Sequence, residues 1–182
     1  MKNIYFVIML SLLLTDLSVQ ACTSIIISGK YTPDGRPIMW KNRDTDTYQN
    51  AIKYFEDGKY NSMGLIDSDD PKGKSVWIGY NSAGFAIMNT ASYNLILKDS
   101  IELKDREGIL MREALMQCAS VLEFEIFLTH HKKPLGVEAN FGVIDANGGA
   151  AYFEVDNFSF KKLDVNDAAI APMGYLIHTN FS

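Results

Sequence analysis

The sequence predicts a single α+β domain, because strand-like segments come first, two helices follow and further strands end the chain. Three observations predict this class. β-Branched runs bounded by turn residues are typical of strands, and apolar residues at helical spacing are typical of the two helices. Neither an internal repeat nor a linker divides the 182 residues, which are enough to bury a hydrophobic core.

The first 21 residues are predicted to be a cleaved leader and not part of that domain. Lys2 precedes an apolar run over 4–14, which is too short to cross a membrane because a span takes about 20 apolar residues. Residues 19–21 place small side chains at positions −3 and −1 before Cys22. This pattern is typical of a secretory signal peptide. We therefore expect an exported protein, periplasmic or secreted, with no stable membrane span after cleavage and a domain over 22–182.

Cleavage would make Cys22 the new N-terminus, and two interpretations of this cysteine compete. Residues 19–22 form an imperfect lipobox, so an acylated Cys22 would tether a binding lipoprotein to a membrane. Alternatively, Cys22 carries a free amine beside a free thiol, as a catalytic N-terminal nucleophile does. Residues 23–28 are mostly β-branched and predict a strand that starts at the cleavage point. A rigid strand favours the nucleophile over a flexible tether.

The strands before the helices share β-branched or aromatic residues between turns. They are predicted over 22–28, 38–42, 76–80 and 85–89. The intervening residues 49–75 are polar and are predicted to be irregular, with short strands near Ile52 and Leu65. The helices come next in the chain.

Two consecutive helices are predicted from apolar spacing and a capping signal. The first has an apolar face at positions i, i+3, i+4 and i+7, formed by Met111, Ala114, Leu115 and Cys118. On that face Cys118 is expected to be an inert core thiol. Ser120 and Glu123 form a capping-box pattern that begins the second helix, which ends before Pro134. The remaining strands are predicted over 140–145, 150–155, 158–163 and 174–180.

Composition excludes several classes of function. The 17 basic and 22 acidic residues give a net charge of −5, which offers no electrostatic footprint for nucleic acid. Two cysteines are too few for a disulfide scaffold. No spacing of His, Cys and Asp is typical of a metal site. We expect no metal, no cofactor and a small-molecule substrate, and the choice between a monomer and a homo-oligomer stays open.

An N-terminal cysteine can catalyse acyl transfer without a histidine. Its α-amine has an ordinary pKa of about 7.7–8.0 and can take the thiol proton. A nearby cation favours the thiolate, a carboxylate orients the amine, and amide donors stabilise the oxyanion. The chain offers Arg43, Asp46 and several asparagines for these tasks. On residue type alone this is weak evidence, since Arg43 and Asp46 also fit the end of a surface hairpin.

The N-terminal segment resembles a known enzyme family. Residues 22–25, a hairpin and then residues 42–46 are similar to the opening of the N-terminal-nucleophile (Ntn) hydrolases that cleave linear amides. These include choloylglycine hydrolases, penicillin V acylases, acid ceramidase-like amidases and isopenicillin N acyltransferase-like enzymes. The resemblance implies a four-layer αββα fold in which Cys22 is the nucleophile. It also implies that Arg43 lies beside the thiol and that Asp46 binds the amine.

Two later segments carry the same resemblance. The segment from Asn81 to Asn89 is similar to the family's Asn-x-x-Gly segment, which implies that Asn89 stabilises the oxyanion. Because the spacing is shorter than in bile salt hydrolases, Asn81 stays a rival as a substrate-binding residue. Thr179 and Asn180 match the family's Thr-Asn pair, which implies a second oxyanion contact from Asn180. The implied substrate is an N-acyl amide, cleaved through a thioester that water or another amine resolves.

The resemblance covers only the N-terminal part of the family's domain. Family chains continue well past the Thr-Asn pair, whereas this chain stops two residues later. We therefore expect a C-terminally truncated domain that is inactive or poorly folded alone unless further strands come from elsewhere. Residues 22–25, followed by Gly29 and Gly35, also resemble a dipeptidase-like Ntn branch, and this alternative stays open.

Overall fold

The computed structural model describes residues 21–95 and 103–182. Apart from Ala21, the predicted signal peptide lies outside these residues. Along the chain the elements are β1 (Thr23–Ile27), β2 (Ile38–Asn42), β3 (Asn50–Phe55), β4 (Ser62–Asp67), β5 (Ile78–Asn81), β6 (Ala86–Ala91), α1 (Glu107–Gln117), α2 (Val121–His130), β7 (Ala139–Ile144), β8 (Ala150–Val155), β9 (Phe160–Asp164) and β10 (Tyr175–His178). A short 3₁₀ turn, Gly29–Tyr31, follows β1.

Two antiparallel sheets contain all ten strands. The smaller sheet has the order β10-β1-β2, so the strand that begins beside Cys22 is central. The larger sheet runs β3 to β9 in sequence order, as expected when most neighbouring strands are joined by short turns. One such turn needs Gly84, whose φ of +83° belongs to the left-handed region that favours glycine. The predicted order of strands, helices and strands is confirmed.

The prediction that residues 49–75 are irregular is wrong. β3 and β4 form a regular antiparallel hairpin whose pairing extends from Asn50 and Asp67 to Phe55 and Ser62. The two short strands expected within this segment are both present. β3 is an edge strand in which the apolar Ile52 and Tyr54 face solvent while Lys53 is half-buried, so it lacks the apolar-in, polar-out alternation that marks a strand in the sequence.

The two helices cover one face of the larger sheet. Phe124 of α2 lies at the centre of this core, with its ring centroid 5.1–6.1 Å from those of Phe85, Phe141 and Phe153. The capping box predicted for α2 is confirmed, because the hydroxyl of Ser120 accepts a hydrogen bond from the Glu123 amide at 3.1 Å. The structure is therefore layered in the order helices, larger sheet, smaller sheet.

A second core lies between the two sheets and includes Ile26 of β1, Met88 of β6 and Tyr152 of β8. The opposite face of the smaller sheet is open: Trp40 and Ile177 are 53% and 54% exposed. The described residues thus form three layers of the predicted four-layer arrangement. No helix among these residues is long and apolar enough to span a membrane.

Candidate active site

Cys22 lies at the end of the smaller sheet, directly before β1, and its side chain is half-buried. Ser24 pairs with His178 of β10, so two residues earlier Cys22 falls opposite Asn180. Side chains directly opposite each other in an antiparallel pair lie on the same face of the sheet. Extending the register by two residues thus puts Cys22 and Asn180 at the same end of the smaller sheet.

The same argument brings Arg43 to the other side of Cys22. Thr23 pairs with Asn42 of β2, so Cys22 falls opposite Arg43 when the ladder is extended by one residue. Because side chains alternate along a strand, Cys22 shares its face with Ile26, which is buried between the sheets. The nucleophile predicted from the sequence thus faces the larger sheet, between a cation and an amide.

Asn180 is only 2% exposed, and its side-chain oxygen has no hydrogen-bond partner among residues 21–95 and 103–182. Its backbone oxygen accepts a hydrogen bond from the Tyr93 amide at 2.9 Å. Nearly all buried polar groups in folded proteins are hydrogen-bonded, and exceptions often mark functional sites. The side-chain oxygen of Asn180 is therefore suited to accept a hydrogen bond from a donor that enters the site.

A buried polar cluster holds the segment that carries Asn180. The carbonyl oxygen of Thr179 accepts hydrogen bonds from the Thr90 hydroxyl at 2.6 Å and from the Asn140 amide at 3.4 Å. The same amide donates to the Phe181 carbonyl oxygen at 3.2 Å. Asn140 is fully buried in β7, and its role escaped the sequence analysis. Its position at the start of a predicted strand was the one feature of the sequence that could have indicated this role.

Arg43 is held by three groups of the larger sheet. Its guanidinium pairs with Asp67 at 2.8 Å, donates to the Asn50 side chain and lies 5.0 Å from the Trp77 ring centroid. Asp67 also accepts a hydrogen bond from the Trp77 indole at 2.8 Å. These contacts fix the charge of Arg43 where the two sheets meet.

Asp44 is the carboxylate that the structure places at the start of β1. Its Oδ2 accepts a hydrogen bond from the Ala21 amide at 3.0 Å, and its backbone oxygen lies 3.6 Å from the Cys22 Sγ. Asp44 is therefore next to the bond whose cleavage would free the amine of Cys22. The sequence analysis passed over it in favour of Asp46, and both aspartates are exposed. The role of Asp46 stays a prediction.

Lys41 is a second residue of the site that the sequence analysis missed. It lies in β2, two residues before Arg43, and its ammonium group donates to the Trp77 carbonyl oxygen at 3.1 Å and to the Asn89 Oδ1 at 3.0 Å. Burial lowers the pKa of Lys41 to about 8, the nearby Cys22 opposes this decrease, and Arg43 adds to it. Lys41 thus links Asn89 to the surroundings of the nucleophile.

Asn89 lies in β6, is 5% exposed and lines a cavity of about 610 Å³. Polar and apolar side chains share the cavity wall, among them Trp77, Tyr93, Glu107 and Glu138. Burial raises the pKa of Glu107, which accepts a hydrogen bond from the Glu138 amide at 3.1 Å. The cavity is large enough for part of a small-molecule substrate.

Asn81 has a structural role, so its prediction as a substrate-binding residue needs correction. Its amide donates to the carbonyl oxygens of Leu115 and Cys118 at 2.9 and 2.7 Å. Its Oδ1 accepts from the amides of Ala83 and Phe85, both at 3.1 Å. An asparagine side chain has two donor hydrogens and one acceptor oxygen with two lone pairs. All of these are used to join the β5–β6 turn to the end of α1.

Cys118 is the second cysteine and is buried at the end of α1. Burial raises the pKa of its thiol to about 12, with Glu123 adding to the increase. A thiol with such a pKa stays protonated near neutral pH and is a poor nucleophile. The expectation of an inert core thiol is confirmed.

A second group of titratable side chains lies behind Ser24. The Tyr152 hydroxyl donates to the Ser24 Oγ at 3.0 Å, and the Tyr152 ring lies 4.4 Å from the His178 ring. His178 Nε2 is 4.0 Å from Glu154 Oε1. Burial lowers the pKa of His178 and raises that of Tyr152, so both side chains are neutral near pH 7. His178 therefore packs as a neutral ring under the strand that leads from Cys22.

We expect the buried His178 to make stability depend on pH. The unfolded chain binds a proton at His178 below about pH 6.5, the ordinary histidine pKa, whereas the folded chain resists it. The free energy of unfolding should therefore fall as the pH is lowered from 6.5. Chemical denaturation between pH 5 and 7 should show a smaller slope for His178→Gln than for wild type. The matched control is His130→Gln, at the exposed end of α2, and an equal slope in both variants would contradict the prediction.

No cluster of three or more His, Cys, Asp or Glu side chains that could hold a metal ion is found within residues 21–95 and 103–182. The candidate site is instead built from a thiol, two cations, carboxylates and amides. Such a set can generate a thiolate and bind a developing negative charge. It is suited to acyl transfer from an amide to a cysteine.

Comparison with solved structures identifies the fold. No family model and no curated protein matches this sequence. An N-acylethanolamine-hydrolyzing acid amidase ortholog from Caenorhabditis elegans is similar with a TM-score of 0.66 and 19% identity, over 88% of this chain and 70% of that one. A mutant of the conjugated bile acid hydrolase from Clostridium perfringens is similar with a TM-score of 0.58 and 18% identity, over 85% of this chain and 52% of that one.

These likenesses define the class of fold. The chain has the fold of amide hydrolases with two packed sheets, and the predicted Ntn-hydrolase architecture is confirmed. It spans 70% and 52% of the lengths of the two chains.

Proposed function

We propose that this protein is an exported N-terminal cysteine amidohydrolase that cleaves the linear amide bond of an N-acyl substrate. The observation that supports this most strongly is the position of Cys22. It begins the central strand of the smaller sheet, opposite Arg43 and Asn180 in the extended register, and Asp44 lies at its N-terminal side. This arrangement supplies the parts that an N-terminal nucleophile needs.

The first half of the proposed reaction forms a thioester. Cleavage after Ala21 frees the α-amine of Cys22, which takes the proton of the thiol. The thiolate attacks the substrate carbonyl carbon, and the carbonyl oxygen becomes an oxyanion. When the tetrahedral intermediate collapses, the carbon–nitrogen bond breaks. The leaving amine takes the proton held by the α-amine, and the acyl group stays on Cys22.

The second half releases the acyl group. The α-amine takes a proton from water, and the resulting hydroxide attacks the thioester carbonyl. The carbon–sulfur bond then breaks, the thiol regains a proton and the carboxylic acid leaves. An amine in place of water would give a new amide, which is acyl transfer.

Each neighbouring residue has a proposed role in this scheme. Arg43 favours the thiolate through its charge. Asp44 orients the free α-amine, a role that the resemblance had implied for Asp46. Asn180 and Asn89 donate hydrogen bonds to the oxyanion, as preorganised amide groups do in other acyl-transfer enzymes.

The mass of the mature N-terminus tests the starting point of the mechanism. The full chain, expressed with its own leader in a bacterium that exports it, should yield a protein that begins at an unmodified Cys22. A diacylglyceryl group on Cys22 would instead identify a membrane-tethered lipoprotein and overturn the proposal. A chain that retains residues 1–21 would also contradict it.

A covalent assay tests the chemistry. Incubation with an N-acyl p-nitroanilide should release p-nitroaniline and add the mass of the acyl group to Cys22. Acylation is the more informative readout because it identifies the nucleophile directly. Release of amino acids from dipeptides, without any acylation by the anilide, would favour the dipeptidase-like alternative. A wild-type protein that cleaves the anilide without acylation of Cys22 would overturn the proposed function.

A further inference from the structure

Lys41 and Asn89 form a contact whose direction is fixed by chemistry. The ammonium group of Lys41 lies 3.0 Å from Asn89 Oδ1. A lysine ammonium has three donor hydrogens and no acceptor. A flipped amide would place the NH₂ group of Asn89 against the ammonium and lose this hydrogen bond. Lys41 therefore holds the oxygen of Asn89 towards itself and turns the NH₂ group away.

The NH₂ group of Asn89 donates no hydrogen bond within residues 21–95 and 103–182, although Asn89 is buried and lines the 610 Å³ cavity. The direction imposed by Lys41 thus leaves a donor available to a bound molecule. A buried amide donor with a fixed direction is the kind of group that stabilises a developing oxyanion.

Lys41 is itself tied to the strand of the nucleophile. It pairs with Ser24, two residues from Cys22, and its ammonium also donates to the Trp77 carbonyl oxygen at 3.1 Å. Two acceptors from the larger sheet therefore fix the end of a side chain that starts on the smaller sheet. A shift of either sheet would move the NH₂ group of Asn89 relative to Cys22.

We propose that Lys41 is a positioning residue, whose ammonium group orients the Asn89 amide so that its NH₂ group meets the oxyanion formed at Cys22. This inference rests on the proposed function. Lys41 does not touch the substrate and acts through Asn89. Its charge matters because a neutral amine has a lone pair, could accept a hydrogen bond and would no longer enforce one orientation of the amide.

A double-mutant cycle tests this coupling. Lys41→Met keeps the length of the side chain but removes the donor, and it should lower the acylation rate about 10- to 100-fold with little change in KM. Asn89→Ala should lower the acylation rate by about 100-fold or more. The double variant should be no slower than Asn89→Ala, because Lys41 has nothing left to orient. The rates are measured by p-nitroaniline release from the N-acyl p-nitroanilide and by the mass of acylated Cys22.

Two further variants separate positioning from structure. Lys53→Met removes another half-buried strand lysine that donates to a backbone oxygen, in this case of Pro71, and it should acylate at the wild-type rate. Lys41→Arg keeps a charged donor that stays protonated at high pH. It should recover most of the rate and should extend activity to higher pH than wild type, in which the pKa of Lys41 is about 8. If Lys41→Met fails to fold, the pH profile of Lys41→Arg still tests the inference.

Additive losses in the double variant would show that Lys41 acts independently of Asn89 and would overturn the inference. So would a wild-type acylation rate in Lys41→Met, or a basic limb of the pH profile that does not move in Lys41→Arg. The proposed function fails by a different result: undiminished cleavage of the anilide in Cys22→Ala, or cleavage by wild type without acylation of Cys22. The two failures are therefore distinguishable.

Discussion

Replacing Cys22 with alanine is expected to lower the rate of amide cleavage by at least about 1,000-fold, because no thioester can form without the nucleophile. The other groups of the site, Arg43 and Asn180, keep their positions in this variant, since their contacts involve the larger sheet and the Tyr93 amide. Residual cleavage would then report only binding and oxyanion stabilisation. The rate is measured by p-nitroaniline release, and the loss of acylation by intact mass.

Cys118→Ala is the matched control for this prediction. It also removes a thiol, but Cys118 is buried at the end of α1 and its pKa is raised to about 12. This variant should therefore be acylated like wild type. Iodoacetamide at neutral pH should likewise label Cys22 and spare Cys118 in the folded protein. Labelling of Cys118 alone, or turnover that survives in Cys22→Ala, would contradict the assignment of the nucleophile.

Replacing Asn180 with alanine is expected to lower the acylation rate about 100- to 1,000-fold, as the loss of one oxyanion donor does in other acyl-transfer enzymes. The reason is the position of this amide: Asn180 is buried two residues beyond β10, the strand that pairs with β1, and its NH₂ group can donate a hydrogen bond. KM should change little, because the hydrogen bond strengthens in the transition state.

Asn180→Ala should also leave the free energy of unfolding unchanged or raise it. The substitution removes a buried acceptor that makes no hydrogen bond to residues 21–95 and 103–182, and such an acceptor costs about 1–3 kcal/mol. The control is Asn147→Ala, in an exposed turn between β7 and β8, which should acylate like wild type. A large loss of stability in Asn180→Ala, with an acylation loss of the same size, would indicate a structural role instead.

Most of the fold could be predicted from the sequence because local patterns determine its elements. β2 has the predicted bounds, and the helix that begins after Ser120 has the predicted cap. The failure was the hairpin of β3 and β4, where one face of an edge strand is open to solvent. In such a strand, the alternation of buried and exposed residues depends on which elements pack against each face of the sheet. The sequence of the strand alone does not show which elements those are.

The residues of the candidate site likewise fall into those proposed from the sequence and those found only in the structure. Cys22, Arg43 and Asn180 could be proposed from the sequence because each belongs to a short segment that resembles a family motif, and their roles stay predictions. Lys41, Asp44 and Asn140 were missed, although Lys41 and Asp44 lie within three residues of Arg43. A lysine in a strand and an aspartate after it are ordinary surface residues until their partners are known.

By itself the sequence determined the order of strands and helices, because this depends on spacing along the chain. Its resemblance to a known family predicted the class of fold and Cys22 as the nucleophile. Only the tertiary structure decided which side chains meet Cys22. It assigned Asn81 to a turn, placed Asp44 at the N-terminal side of Cys22 and joined Lys41 to Asn89 across the two sheets. The physical reason is that hydrogen bonds between distant segments depend on register and sheet packing, which are settled only when the whole core forms.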